Sequence, residues 1–143
     1  MKALALALVL GLLGLASAQA FDPPGQWQGY VNASSGDVAN ATAAASLPAV
    51  ANTTNVLTGV EVTAGGATAG ACVVFTISGL AVGNMSYDFC APTGAAVGAA
   101  PLILQFPNPL MATGSNVAIT ASLPALGTGA LHAAVSIHGY QVK

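Results

Sequence analysis

From Val56 to the C-terminus, apolar and polar residues alternate in short runs separated by Gly, Pro and Asn. Alternation with period two over four to eight residues is the pattern of a strand with one buried face. It predicts strands at Leu57 to Thr63, Ala71 to Ser78, Met85 to Cys90, Pro101 to Phe106, Asn116 to Ser122 and Gly129 to Val142. With one more strand upstream this makes about seven short strands joined by turns. The expected fold is all-β, an antiparallel β-sandwich of jelly-roll-like kind, with no long helix and no internal repeat of fixed period.

Residues 21–55 follow a different pattern. FDPPGQWQGYV carries a Pro pair, Trp27 and Tyr30, and the stretch after it is small, polar and aperiodic. A first strand is expected over Gln26 to Val31, and the remainder reads as a loop or an extended arm that docks on a neighbour's sheet edge. The competing reading is a helix over Asp37 to Ser46, because Ala is the best helix former. The expected organisation is therefore a leader at 1–20, an arm at 21–55 and a sandwich domain at 56–143.

One hairpin can be read to the residue. If ACVVFTISGLAVGNMSYDFC turns around Ala81, Val73 faces Phe89, Phe75 faces Tyr87 and Ile77 faces Met85 on one side of the sheet. The other side then pairs Thr76 with Ser86, Val74 with Asp88 and Cys72 with Cys90. A slip of one residue would destroy both the apolar face and the sulfur pairing. Cross-strand Cβ atoms about 4.5–5.5 Å apart lie within reach of disulfide geometry, so Cys72 and Cys90 are expected to bond. A catalytic or metal-binding thiol is the alternative, and no Cys-x-x-Cys spacing supports it.

The first twenty residues change the setting. A single lysine, an apolar run from Ala3 to Leu15 and small residues ending at Ala18 or Ala20 form a secretory signal peptide, with an uncleaved anchor as the competing reading. Removal of residues 1–20 leaves 123 of the 143 residues, enough for one domain with its own core. Its charges are then Asp22, Asp37, Glu61, Asp88 and Lys143, and arginine is absent from the sequence. Nucleic-acid binding needs clustered Lys and Arg, so that class is excluded, and no basic or acidic run points to a membrane surface.

Candidate chemistry is sparse. Both histidines fall in the last predicted strand, where His132, Ala134, Ser136, His138 and Tyr140 share one face and Leu131, Ala133, Val135, Ile137 and Gly139 the other. Six residues at roughly 3.4 Å each hold the imidazoles about 20 Å apart, too far to share one metal ion. No nucleophile elbow, phosphate loop, zinc-helix or calcium motif is found, so no catalytic residue, metal site or cofactor is assigned. Candidate binding residues are Trp27, Tyr30, His132, His138 and Tyr140, since aromatic faces and polar imidazoles suit a sugar ring or a protein partner. The alternative is that Trp27 caps the core and the tyrosines mark strand ends. Asn32, Asn40, Asn52 and Asn84 stand in Asn-x-Ser/Thr sequons and are candidate N-glycosylation sites.

From residue 57 onward, VEVTAGGATAGACVVFTISGL, APLILQFPNPL and ASLPALGTGALHAAVSIHGY resemble the small Gly, Ala and Thr-rich β-sandwich modules of bacteriophage virion proteins and other extracellular assembly subunits. That resemblance implies a structural role in an assembly and assigns no site residues. The expectation is a secreted, non-catalytic structural or assembly protein that associates with itself or another surface protein. The alternatives are an extracellular carbohydrate- or protein-binding module and, more distantly, a small secreted hydrolase.

Overall fold

The computed structural model describes residues 27–94, 96–127 and 129–143, the side chains of Trp27 and Gln28 excepted. The leader at 1–20 lies outside the described residues. Eight strands form: β1 (Trp27–Ser34), β2 (Ala43–Leu47), β3 (Thr54–Gly65), β4 (Ala71–Ser78), β5 (Met85–Ala91), β6 (Leu102–Met111), β7 (Ile119–Leu123) and β8 (His132–Val142).

The pairing is that of a ribbon folded in half. β4 pairs with β5, β3 with β6, β2 with β7 and β1 with β8, all antiparallel. Rolling this ribbon brings β3 beside β8 and β4 beside β7, which closes two four-stranded sheets in the orders β1-β8-β3-β6 and β2-β7-β4-β5. Two sheets of four antiparallel strands wound this way form a jelly roll, the expected fold class.

The hairpin register is the one the alternation predicts. Cys72 pairs with Cys90, Val73 with Phe89, Val74 with Asp88, Phe75 with Tyr87, Thr76 with Ser86 and Ile77 with Met85. Cys72 and Cys90 are disulfide-bonded across the two strands, with Cα atoms 4.0 Å apart, on the solvent side of the sheet. Since the sulfurs pack nothing, the double substitution Cys72→Ser/Cys90→Ser should act through the unfolded chain. Releasing a loop of this length is expected to lower unfolding free energy by about 3 kcal/mol. Urea denaturation under oxidising conditions checks this, and a loss below about 1 kcal/mol would mean the apolar face alone fixes the hairpin.

Residues 27–55 differ from expectation. Ala43, Ala45 and Leu47 of β2 are buried in the core, and β2 pairs with β7 from Ala43↔Leu123 to Leu47↔Ile119. β1 hydrogen-bonds to β8 along its length. This stretch is therefore built into both sheets of its own chain, not held out as an arm, and no helix forms over residues 37–46. Ala44 and Ser46 face outward between buried neighbours, so the stretch obeys strand periodicity in residues too small to display it.

The core lies between the sheets, with Phe75, Ile77, Leu47, Leu57, Val60, Val62, Ile119, Leu123, Val135 and Ile137 fully buried. The sheets approach closely at Gly139 on β8. A Cβ there would collide with the Val56 carbonyl and stand 2.7 Å from Leu47 Cδ1 of the opposite sheet, so glycine lets that leucine seat. One end of the sandwich is sealed by polar side chains. Asn55, 1% exposed, donates from Nδ2 to the carbonyls of Pro48 (2.9 Å) and Val117 (2.8 Å), and its Oδ1 accepts from Gln141 Nε2 at 2.9 Å.

Candidate functional site

Strand β8 is central in its sheet, so its alternation sorts chemistry cleanly. Ala133, Val135, Ile137, Gly139 and Gln141 point into the core, while His132, Ala134, Ser136, His138 and Tyr140 point outward. Neighbouring strands add their own outward residues rung by rung. Tyr30 lies opposite Tyr140. Asn32, His138, Gly59 and Gln105 form the next rung, and Ser34, Ser136, Glu61 and Ile103 the one after.

A β-bulge in β3 sets this register. Leu57 pairs with Gly139 and Gly59 with His138, which leaves Thr58 as the extra residue, its hydroxyl donating to the His138 carbonyl at 3.1 Å. An inserted residue restores the facing beyond it. Glu61 is thereby brought to the outer face beside His138.

Each imidazole meets a carboxylate, at a different distance. His132 Nδ1 is 2.7 Å from Asp37 Oδ2, with both side chains well exposed. A carboxylate only accepts, so a neutral His132 must carry its proton on Nδ1 and present a lone pair at Nε2. Asp37 reaches this position from the β1–β2 connection, which Val38 ties to Ala133 by two backbone hydrogen bonds of 2.9 Å. His138 Nδ1 lies 3.2 Å from Asn32 Oδ1, and its Nε2 is 4.0 Å from Glu61 Oε1, too long for a direct hydrogen bond. Ser136 Oγ donates to Ser34 Oγ at 3.3 Å.

A shallow pocket of about 380 Å³ adjoins His132, lined by Thr63, Gly65, Gly66, Val97 and Gly98 among others. Its floor exists because two glycines meet. Gly65 bridges to Gly98, and a Cβ on Gly65 would stand 3.1 Å from the Gly98 Cα. Among the described residues no group of three or more His, Cys, Asp or Glu is placed to hold a metal ion.

The candidate binding residues are thus partly united. Tyr30, His138 and Tyr140 share one face, and His132 lies at its far end. The Trp27 backbone opens β1, while its side chain lies outside the described residues. Of the sequon asparagines, Asn32 and Asn40 spend their carbonyl oxygens on His138 and on the Gly129 amide (2.7 Å), whereas Asn52 and Asn84 are exposed in connections. Asp37, Glu61 and Gln105 were not singled out by sequence as binding residues. The strand alternation around Glu61 and Gln105 was the available signal, but placing Asp37 needs a contact 95 residues away.

The arrangement orients hydrogen-bonding groups. The imidazoles are braced by Asp37 and Asn32, and the hydroxyls of the adjoining rung bond to each other. The fold and this face define an all-β jelly roll with a polar, tyrosine-flanked sheet surface. Comparison with protein-family models, curated proteins and solved structures finds no match to the chain.

Proposed function

We propose that the chain is an exported, non-catalytic structural subunit that associates with further copies of itself or with another surface protein. The supporting observation is a surface with large apolar side chains and very little charge. Tyr30, Val74, Val82, Ile103 and Met111 are 49–75% exposed, while the charged side chains of the described residues are Asp37, Glu61, Asp88 and Lys143. Exposed apolar surface favours a covering partner, and little like-charge repulsion opposes close packing of identical copies. The disulfide is at home in an oxidising compartment and so favours export. Jelly rolls serve capsid subunits and lectins alike, so the fold agrees with the virion-like resemblance without selecting it.

One end of the sandwich is the preferred contact. The β4–β5 turn carries Val82 and is joined to the end of β6 by a hydrogen bond from Ala81 N–H to the Met111 carbonyl (2.9 Å), which brings two exposed apolar side chains to one tip. Light scattering with negative-stain imaging of the exported chain is expected to show a defined multimer. Val82→Asp combined with Met111→Asp should shift it toward monomer. A wild-type protein that stays monomeric to millimolar concentration would refute the reading.

A further inference from the structure

The outward face of the β1-β8-β3-β6 sheet differs from the apolar tip. Ile103 is its one large aliphatic side chain among the described rungs, and the remainder are planar polar groups, hydroxyls and tyrosines. The Asn32 and Gln105 amides, the His138 imidazole and the Glu61 carboxylate each offer rigid, directional hydrogen-bonding atoms. The Gln105 amide lies across Gly59, with its nitrogen 3.4 Å from where a Cβ would stand. A glycine there leaves the middle of the rung low, with taller polar groups on either side.

Two features choose a ligand class. Glu61 Oε1 and His138 Nε2 stand 4.0 Å apart, which suits two neighbouring hydroxyls donating one to each. Sugars carry such hydroxyl pairs beside apolar C–H faces, which stack on aromatic rings such as the 75% exposed Tyr30. Asp37 and Glu61 are the charged groups on and beside this face, and no lysine or arginine stands in its rungs, so an acidic ligand is repelled. We infer that this sheet face binds a neutral oligosaccharide laid along β8, from the Tyr30–Tyr140 pair to the pocket beside His132 and Asp37. From residue 132 to residue 140 the strand spans about 27 Å, room for several sugar units. The inference adds a ligand to the subunit proposed above and stands whether or not the chain assembles.

The test is an NMR titration of the exported chain with dextran, laminarin, xylohexaose, mannohexaose and chitohexaose as neutral probes, and alginate and heparin as acidic ones. At least one neutral probe is expected to shift amides of residues 30–34, 59–63 and 132–140. Its affinity should fall at least tenfold in Tyr30→Ala and in His138→Ala, and remain unchanged in Thr76→Ala on the opposite sheet. Silence from every neutral probe at millimolar concentration, shifts confined to the other sheet, or acidic probes binding equally well would each overturn the inference. Light scattering on the same samples reads assembly separately, so the two proposals can fail independently.

Discussion

Replacing Asn55 with leucine is expected to lower unfolding free energy by about 4 kcal/mol, although the two side chains are nearly equal in size. The amide nitrogen of Asn55 faces the carbonyls of Leu47 (3.3 Å), Pro48 and Val117. Carbonyls only accept, so a donor is required, and the oxygen is thereby turned toward Gln141. Leucine leaves the Val117 carbonyl and Gln141 Nε2 without this partner, and each buried unpaired group costs about 1–3 kcal/mol. Pro48 keeps a weaker bond from Gln141 Nε2 at 3.3 Å, so the loss is less than total. Asn55→Asp tests the donor requirement directly. Its carboxylate would confront three carbonyl oxygens, so the folded state favours the protonated acid and its pKa there is raised. The stability lost at neutral pH should then shrink as pH falls toward the ordinary carboxylate range. Urea midpoints at pH 7 and pH 4 measure both variants, and a leucine variant within 1 kcal/mol of wild type would show that the network seals without stabilising.

That network marks the limit of what the sequence displays. Asn55 and Gln141 lie 86 residues apart, and both looked like polar positions near strand ends. The 72–90 hairpin was readable because its partners are near in sequence and because apolar alternation and sulfur pairing each demand the same register. β8 was readable for a similar reason, since Val135 and Ile137 contrast sharply with Ser136 and His138.

Where contrast is missing, the pattern fails. In β2, AAASL buries every second residue, yet alanine on either face gives alternation no signal. β6 runs to Met111, beyond the expected end at Phe106, because Pro107 and Pro109 looked like breakers. On an edge strand they are tolerated, and here they sit in an excursion, since Leu57↔Leu110 and Gly59↔Gln105 leave residues 106–109 outside the β3 ladder. The candidate face was half visible for the same cause. Its tyrosines and histidines lie on outward positions of recognised strands, but Asp37 belongs to a connection whose course only tertiary packing decides.

Phe75→Ala should cost about 3–5 kcal/mol, the range for removing a large buried aromatic side chain. The ring is fully buried on the inward face of β4, and its centroid lies 6.3 Å from that of Tyr87, its cross-strand partner. Flanked by strands on both sides and by the opposite sheet, the site has little freedom to collapse, which argues for the upper half of the range. Val74→Ala, one residue earlier, removes a side chain that is 49% exposed on the other face, and its cost should stay near 0.5 kcal/mol. The ratio of the two losses is more telling than either alone. Moving β4 by a single residue would exchange its faces and invert the order. Equal losses, or a larger one at Val74, would therefore contradict the 72–90 pairing and with it the sheet order that places His132 and His138 on one outward face.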